Sequence, residues 1–339
     1  MRISILFLSS LLIFLTLVSC GDTGTENKET ESLSSNKQVI DPLAEISQMI
    51  SANSSDDQLY IARAKHYLSI SEIDSAFRDI FVAIDINDLD PGHFTTLSDA
   101  YLVLGKPDQC KEALDKALAI DPENIPASQK MAELYLIVRD YENTYKVVNK
   151  VLQLDSYNPS AYYIRGLAQL EQTDTLAAID AFKMTVYQDQ DFFDAYQQLG
   201  IIYSAMNNPL AVEYFNTAIN LQAENILPYY NLGLYYQESG QIDKALSNYQ
   251  MILEIQPDDV NTLYNLGYVN LVYIQDFEKA VDYFTRVIEN APAYAEAYYN
   301  RAYTYEMLGN KNMAVADYKK TLEIKTNYTK AIEALNRLD

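Results

Sequence analysis

Tryptophan is absent from this chain of 339 residues, and cysteine and histidine occur only twice each, as Cys20, Cys110, His66 and His93. Two cysteines cannot build a disulfide framework or a Cys-based zinc cluster. No cysteine or carboxylate motif flanks either histidine, so no metal and no cofactor is expected. Positive charge is also scarce, with 25 Lys+Arg against 47 Asp+Glu and a net charge of −22. That balance disfavours nucleic acid as a partner, which needs basic patches to neutralise phosphates, and it disfavours broad docking on anionic lipid. Ten glycines and ten prolines are too few to punctuate many short strands, which points to long helices. What the chain does have is tyrosine, 29 of them, and a hydrophobic fraction of 49 %, enough for a sizeable core.

The first residues carry an address rather than a fold. Met1 and Arg2 form a short positive start, Ile3 to Val18 is mostly apolar, and Leu17-Val18-Ser19-Cys20 closes the stretch with a small residue before a cysteine. This is a secretory signal pattern, and it resembles the lipobox of bacterial lipoproteins. The resemblance implies a signal peptide over 1–19, cleavage before Cys20, and acylation (palmitate among the chains) of that cysteine. The alternative is an uncleaved transmembrane anchor, for which the apolar stretch is short. Residues 20–39 are rich in Thr, Ser, Glu, Asn and Lys and hold no aromatic, so they read as a disordered tether. As a flexible coil it would span roughly 25 Å.

Beyond the tether the sequence is self-similar at a period near 34. Pro228-Tyr-Tyr-Asn-Leu-Gly233, Thr262-Leu-Tyr-Asn-Leu-Gly267 and Ala297-Tyr-Tyr-Asn-Arg-Ala302 show it directly. Eight units align, beginning near Asp57, Pro91, Ile125, Pro159, Phe193, Ile226, Val260 and Ala295. The fifth lacks one residue in its internal turn and the seventh gains one. The eighth position is always small: Ala64, Ser98, Ala132, Gly166, Gly200, Gly233, Gly267, Ala302. So is the twentieth: Ala76, Cys110, Thr144, Ala178, Ala211, Ala245, Ala280, Ala314. The twenty-fourth is always large: Ile80, Leu114, Val148, Phe182, Phe215, Tyr249, Phe284, Tyr318. Prolines fall at unit junctions or in internal turns, where they do not interrupt a helix. Gly105, Gly240 and Gly309 fall where a first helix needs a left-handed cap. No glycine is left for a phosphate-binding loop.

Spacing and pattern resemble the tetratricopeptide repeat, a helix–turn–helix unit. The resemblance implies an all-α fold, a right-handed α-solenoid of about eight units over 57–328. Capping helices are expected at 40–56 and 329–339, because an open solenoid end exposes core. Length alone suggests two domains, whereas the repeats suggest one elongated domain. The third unit is the weakest, with Ser128, Thr144 and Ser156 at signature positions.

By the same resemblance, first helices line a concave groove. Position 6 reads Gln198, Asn231, Asn265 and Asn300 through the last four units, and amides both donate and accept. A row of them can hold an extended peptide by its backbone, as in some members of the family; the alternative role is packing between units. Position 5 adds Tyr163, Tyr230, Tyr264 and Tyr299, and position 9 adds Tyr268 and Tyr303, offering large contact area at low entropic cost. Cys110 reads as a buried small residue. The run Pro257-Asp258-Asp259 reads as a helix cap. No nucleophile, base and orienter recur at fixed spacing, so no enzymatic activity is expected. The functional expectation is a scaffold for a protein or extended peptide, lipid-anchored in a bacterial envelope, on the outer membrane facing the periplasm. It would serve envelope assembly or maintenance, and a chaperone-like holder of extended chains is the alternative. The partner, the oligomeric state and the choice of groove or convex face are left open.

Overall fold

The computed structural model describes residues 41–338, so the signal segment, Cys20 and the tether lie outside the described residues. Within them are 18 α-helices, one π-helical segment and no strand. The helices form two compact units, one ending at Asp140 and the other starting at Tyr141.

The first unit holds α1 (Pro42–Ala52), α2 (Asp57–Ser69), α3 (Ile73–Ile86), α4 (Pro91–Val103), α5 (Pro107–Ile120) and α6 (Ile125–Ile137). The second holds α7 (Tyr141–Leu154), α8 (Pro159–Glu171), α9 (Thr175–Gln188), α10 (Phe193–Ala205), α11 (Leu210–Leu221), α12 (Ile226–Glu238), α13 (Ile242–Ile255), α14 (Val260–Val269), α15 (Phe277–Asn290), α16 (Ala295–Met307), α17 (Lys311–Ile324) and α18 (Thr329–Leu338). The eight even-numbered helices from α2 to α16 begin at the eight residues where the repeat register opens a unit. Their starts have a common cause. Asp56, Asp90, Asn124, Asn158, Asn225 and Asp259 each accept a hydrogen bond from a backbone N–H of the first turn that would otherwise go unpaired. Asp259 belongs to the acidic run at a unit junction and accepts from Thr262 N at 2.8 Å, as the capping reading requires.

All residues at positions 8, 20 and 24 are buried. The packing explains why two of them are small and the third large. In the second unit the position-24 ring lies flat against the position-8 glycine. A Cβ on Gly166, Gly200, Gly233 or Gly267 would stand 2.6–2.7 Å from Phe182, Phe215, Tyr249 or Phe284. Phe182, Phe215 and Tyr249 join Leu199, Leu232, Leu263, Leu266 and Val287 in one core, while Phe284 packs with Leu271 and Ala280 in a smaller cluster, and Tyr264 touches both. The first unit has its own core around Ile61, Ile80, Phe94, Leu97 and Ala113.

The internal turns hold a regularity that the glycines only hinted at. Gly105, Gly240 and Gly309 do adopt positive φ, but so do Ser71, Arg139, Thr173, Asn207 and Gln275 in the turns of the other five repeats. The bond from Lys106 N to Tyr101 O at 2.9 Å, and its equivalents, close each first helix around that residue. The extra residue of the seventh repeat does not lengthen the turn. It widens the end of α14 into a π-helical segment, Asn270–Ile274, which stops at left-handed Gln275.

Candidate functional site

The amide row and the tyrosines all belong to the second unit, on α8, α10, α12, α14 and α16. Gln198, Asn231, Asn265 and Asn300 are half-buried. Asn300 Nδ2 donates to the Tyr264 hydroxyl at 2.9 Å, so the last rung ties α16 to α14. Asn265 differs. Its Nδ2 is buried near the Tyr249 hydroxyl, yet no hydrogen bond of ordinary geometry reaches it. That hydroxyl donates to Gln237 Oε1 at 3.0 Å, and its oxygen still has lone pairs facing the Asn265 amide. Buried oxygens of Gln197 and Gln169, on α10 and α8, are open in the same way. An unpaired buried amide costs free energy until something occupies it.

The position-5 tyrosines are brought together with other rings rather than with each other. Tyr163 packs on Phe182 at 5.5 Å and Phe192 at 5.0 Å. Tyr264 stacks on Tyr294 at 5.1 Å and meets Phe284 edge-on at 5.8 Å. Tyr299 sits between Tyr318 and Tyr328, and Tyr230 lies 6.3 Å from Tyr249. Each ring therefore wedges against the position-24 ring of its own repeat, and its free area is smaller than the sequence pattern implied. Burial, reinforced by Tyr294, holds the Tyr264 phenol well above the usual range. The position-9 rings are the accessible ones, Tyr268 at 36 % and Tyr303 at 38 % exposure. Beside Tyr268 the π-helical segment presents Val272, Tyr273 and Ile274, all exposed, with the Tyr273 ring 6.3 Å from that of Tyr268. Sequence reasoning missed this apolar edge; the one-residue insertion was its only trace.

Arginine at position 7 is a second feature missed. Arg63 and Arg301 each grip an aspartate of the paired helix through two nitrogens, Asp79 at 2.6 and 2.8 Å and Asp317 at 2.7 and 3.0 Å. Each also reaches sixteen residues back along the chain, to Ser47 and Thr285, as Arg165 does to Asn149. The shared Arg-to-Asp spacing in the first and eighth repeats was the available signal.

In the first unit, the reading that His93 has no carboxylate neighbour is corrected. Asp57 at the start of α2 and Asp90 at the cap of α4 both face its Nε2, at 3.1 and 3.7 Å. The repeat stacking makes the cluster, so spacing along the chain hid it. Cys110 is buried, and burial pushes its thiol up to about 11, which leaves almost no thiolate at neutral pH.

The geometry is that of helix pairs repeating at about 34 residues, with small and large residues locked at fixed positions. Models of the tetratricopeptide repeat match residues 94–124, 225–293 and 295–328. This chain is a tetratricopeptide-repeat protein. A TPR repeat-containing protein of Methanocaldococcus jannaschii is 26 % identical over 214 residues, covering 58 % of this chain and 36 % of that protein. Superkiller complex protein 3 of Homo sapiens is 24 % identical over 233 residues, covering 66 % of this chain and 14 % of its own. The chain thus spans well under half the length of these curated relatives. Among solved structures, the C-terminal part of a TPR repeat-containing protein from Cytophaga hutchinsonii shares the fold. Its TM-score is 0.60 at 21 % identity, over 70 % of this chain and 98 % of that one. TPR proteins generally mediate protein–protein interactions and are generally not enzymes. No described helix is long and apolar enough to cross a membrane.

Proposed function

We propose that this TPR protein is a lipid-anchored scaffold that binds a protein or extended peptide on the periplasmic side of a bacterial outer membrane. The observation that carries the binding role is Asn265. Its buried, unpaired Nδ2 sits one helical turn from the exposed ring of Tyr268, and the exposed ring of Tyr303 follows on α16. An open donor beside accessible aromatic rings suits a backbone carbonyl with an apolar side chain next to it. The anchoring role rests on Leu17-Val18-Ser19-Cys20 and on the tether behind it. Several acyl chains on Cys20 would hold the protein stably, where a single chain would not.

The test is photo-crosslinking in living cells from Tyr303 and Tyr268, with Lys279 on α15 as the control position. One dominant adduct from the tyrosine probes supports a dedicated scaffold. Many adducts of unrelated secreted chains support a holder of extended polypeptides instead. Adducts from Lys279 alone would sink the tyrosine site. Asn265→Ala combined with Asn300→Ala should weaken capture. For the anchor, Cys20→Ser should abolish labelling by a fatty-acid analogue.

A further inference from the structure

We propose that Asp57, Asp90 and His93 form a site for one divalent transition-metal cation of the zinc class, joining the starts of α2 and α4. The His93 side chain is fully buried. Its Nδ1 lies 2.9 Å from the backbone carbonyl oxygen of Asn87, which can only accept, so Nδ1 carries a proton. Nε2 then faces Asp57 Oδ2 at 3.1 Å and Asp90 Oδ2 at 3.7 Å. The nearest donor, Gln58 Nε2, stands 3.5 Å away and is given to Asp90 Oδ2 at 2.7 Å. Left bare, that nitrogen would aim its lone pair at two anionic oxygens; a proton on Nε2, or a metal ion taking the proton's place, makes the approach attractive.

Each of the three side chains is held from behind, as metal ligands are. The Asn87 carbonyl orients His93. Asp90 uses Oδ1 to cap α4, accepting from Gly92 N at 2.7 Å, which leaves Oδ2 for the site. Asn87 Nδ2 donates to Asp57 Oδ2 at 3.1 Å. The ligand atoms lie within 4.8 Å of one another. A small closing movement of the carboxylates brings all three to about 2.0–2.2 Å from one ion, the range zinc requires. Two helix N-termini add roughly half a positive charge each, which two carboxylates outweigh. Both carboxylates are partly exposed, which gives an ion a way in. Imidazole with carboxylate oxygens selects zinc and its neighbours over calcium or magnesium.

The experiment is calorimetric titration of zinc chloride into the full, untagged chain in detergent after chelator treatment, alongside nitrogen-15 NMR of His93. One ion per chain is expected, with the Nε2 resonance shifted as the metal replaces its proton. Asp90→Asn keeps the cap, because asparagine caps helices as well as aspartate, yet it removes a charged ligand. It should weaken zinc binding by at least about tenfold, on the scale of lost outer-shell partners, and Asp57→Asn should do the same. His66→Gln should change nothing. The proposal is overturned by the absence of saturable one-to-one binding. It is equally overturned by binding that both asparagine variants leave intact, or by an Nε2 that keeps its proton in excess zinc. In that last case the cation between the carboxylates is the imidazolium itself.

Discussion

Gly267 on α14 and Phe284 on α15 occupy one space: the ring stands where a Cβ at residue 267 would be, 2.7 Å away. The relationship recurs at Gly166 with Phe182, Gly200 with Phe215 and Gly233 with Tyr249, so it sets how closely a helix pair can approach. Gly267→Ala should destabilise the chain by about 2 kcal/mol through overpacking. Phe284→Leu in the same background should recover part of that loss. Urea denaturation of the single and double variants measures both. A Gly267→Ala variant as stable as the parent would show that the ring simply moves aside.

Arg301 and Asp317 are both mostly buried, at 15 % and 11 % side-chain exposure. Removing one partner strands the other's charge out of water. Arg301→Ala should therefore cost about 3 kcal/mol. The double variant with Asp317→Ala should cost less than the sum of the two single changes. Arg301→Lys should not rescue, because an ammonium cannot make the paired contacts of the guanidinium. A thermodynamic cycle over the four proteins decides it.

Thr173 is β-branched and holds φ at 64° in the turn between α8 and α9. That conformation costs a branched residue free energy that glycine does not spend. Thr173→Gly should raise stability by about 1 kcal/mol, and Gly240→Ala, at φ 74° in the equivalent turn, should lower it by a similar amount. Thermal midpoints of the two variants should move in opposite directions.

Cys110 sets a pH dependence with a defined sign. Burial raises its thiol from 9.0 to about 11. The folded chain therefore holds the proton in a range where the unfolded chain has released it. The resulting stability is fully present below pH 9 and is lost as pH rises from 9 toward 11. Cys110→Ala should flatten that part of the pH–stability curve. In a Cys20→Ser background, the native thiol at pH 8 should react with iodoacetamide about a hundredfold more slowly than the unfolded chain, from the thiolate fraction alone.

The even-numbered helices, the closed positions 8, 20 and 24, and the family were all legible before any coordinates. Each follows from local rules: capping residues, small against large volume, and a period that eight copies repeat in phase. The amide row was legible as a pattern, but its meaning was not. Asn300 spends its donor on Tyr264 while Asn265 keeps one open, and nothing in the two identities distinguishes them. The position-5 tyrosines read as a binding surface because large rings on a first helix look accessible, but Tyr294 stacks on Tyr264 and Tyr328 packs at a tilt against Tyr299.

By itself, then, the sequence determined the all-α repeat, its register to the residue, and an acidic balance of −22. Tertiary structure alone decided which polar groups end up paired. That outcome depends on distances between side chains of different helices, and a shift of an ångström separates a hydrogen bond from an open donor. It also placed His93 between Asp57 and Asp90, a cluster whose outer members are 36 residues apart in the chain and meet only because one repeat stacks on the next.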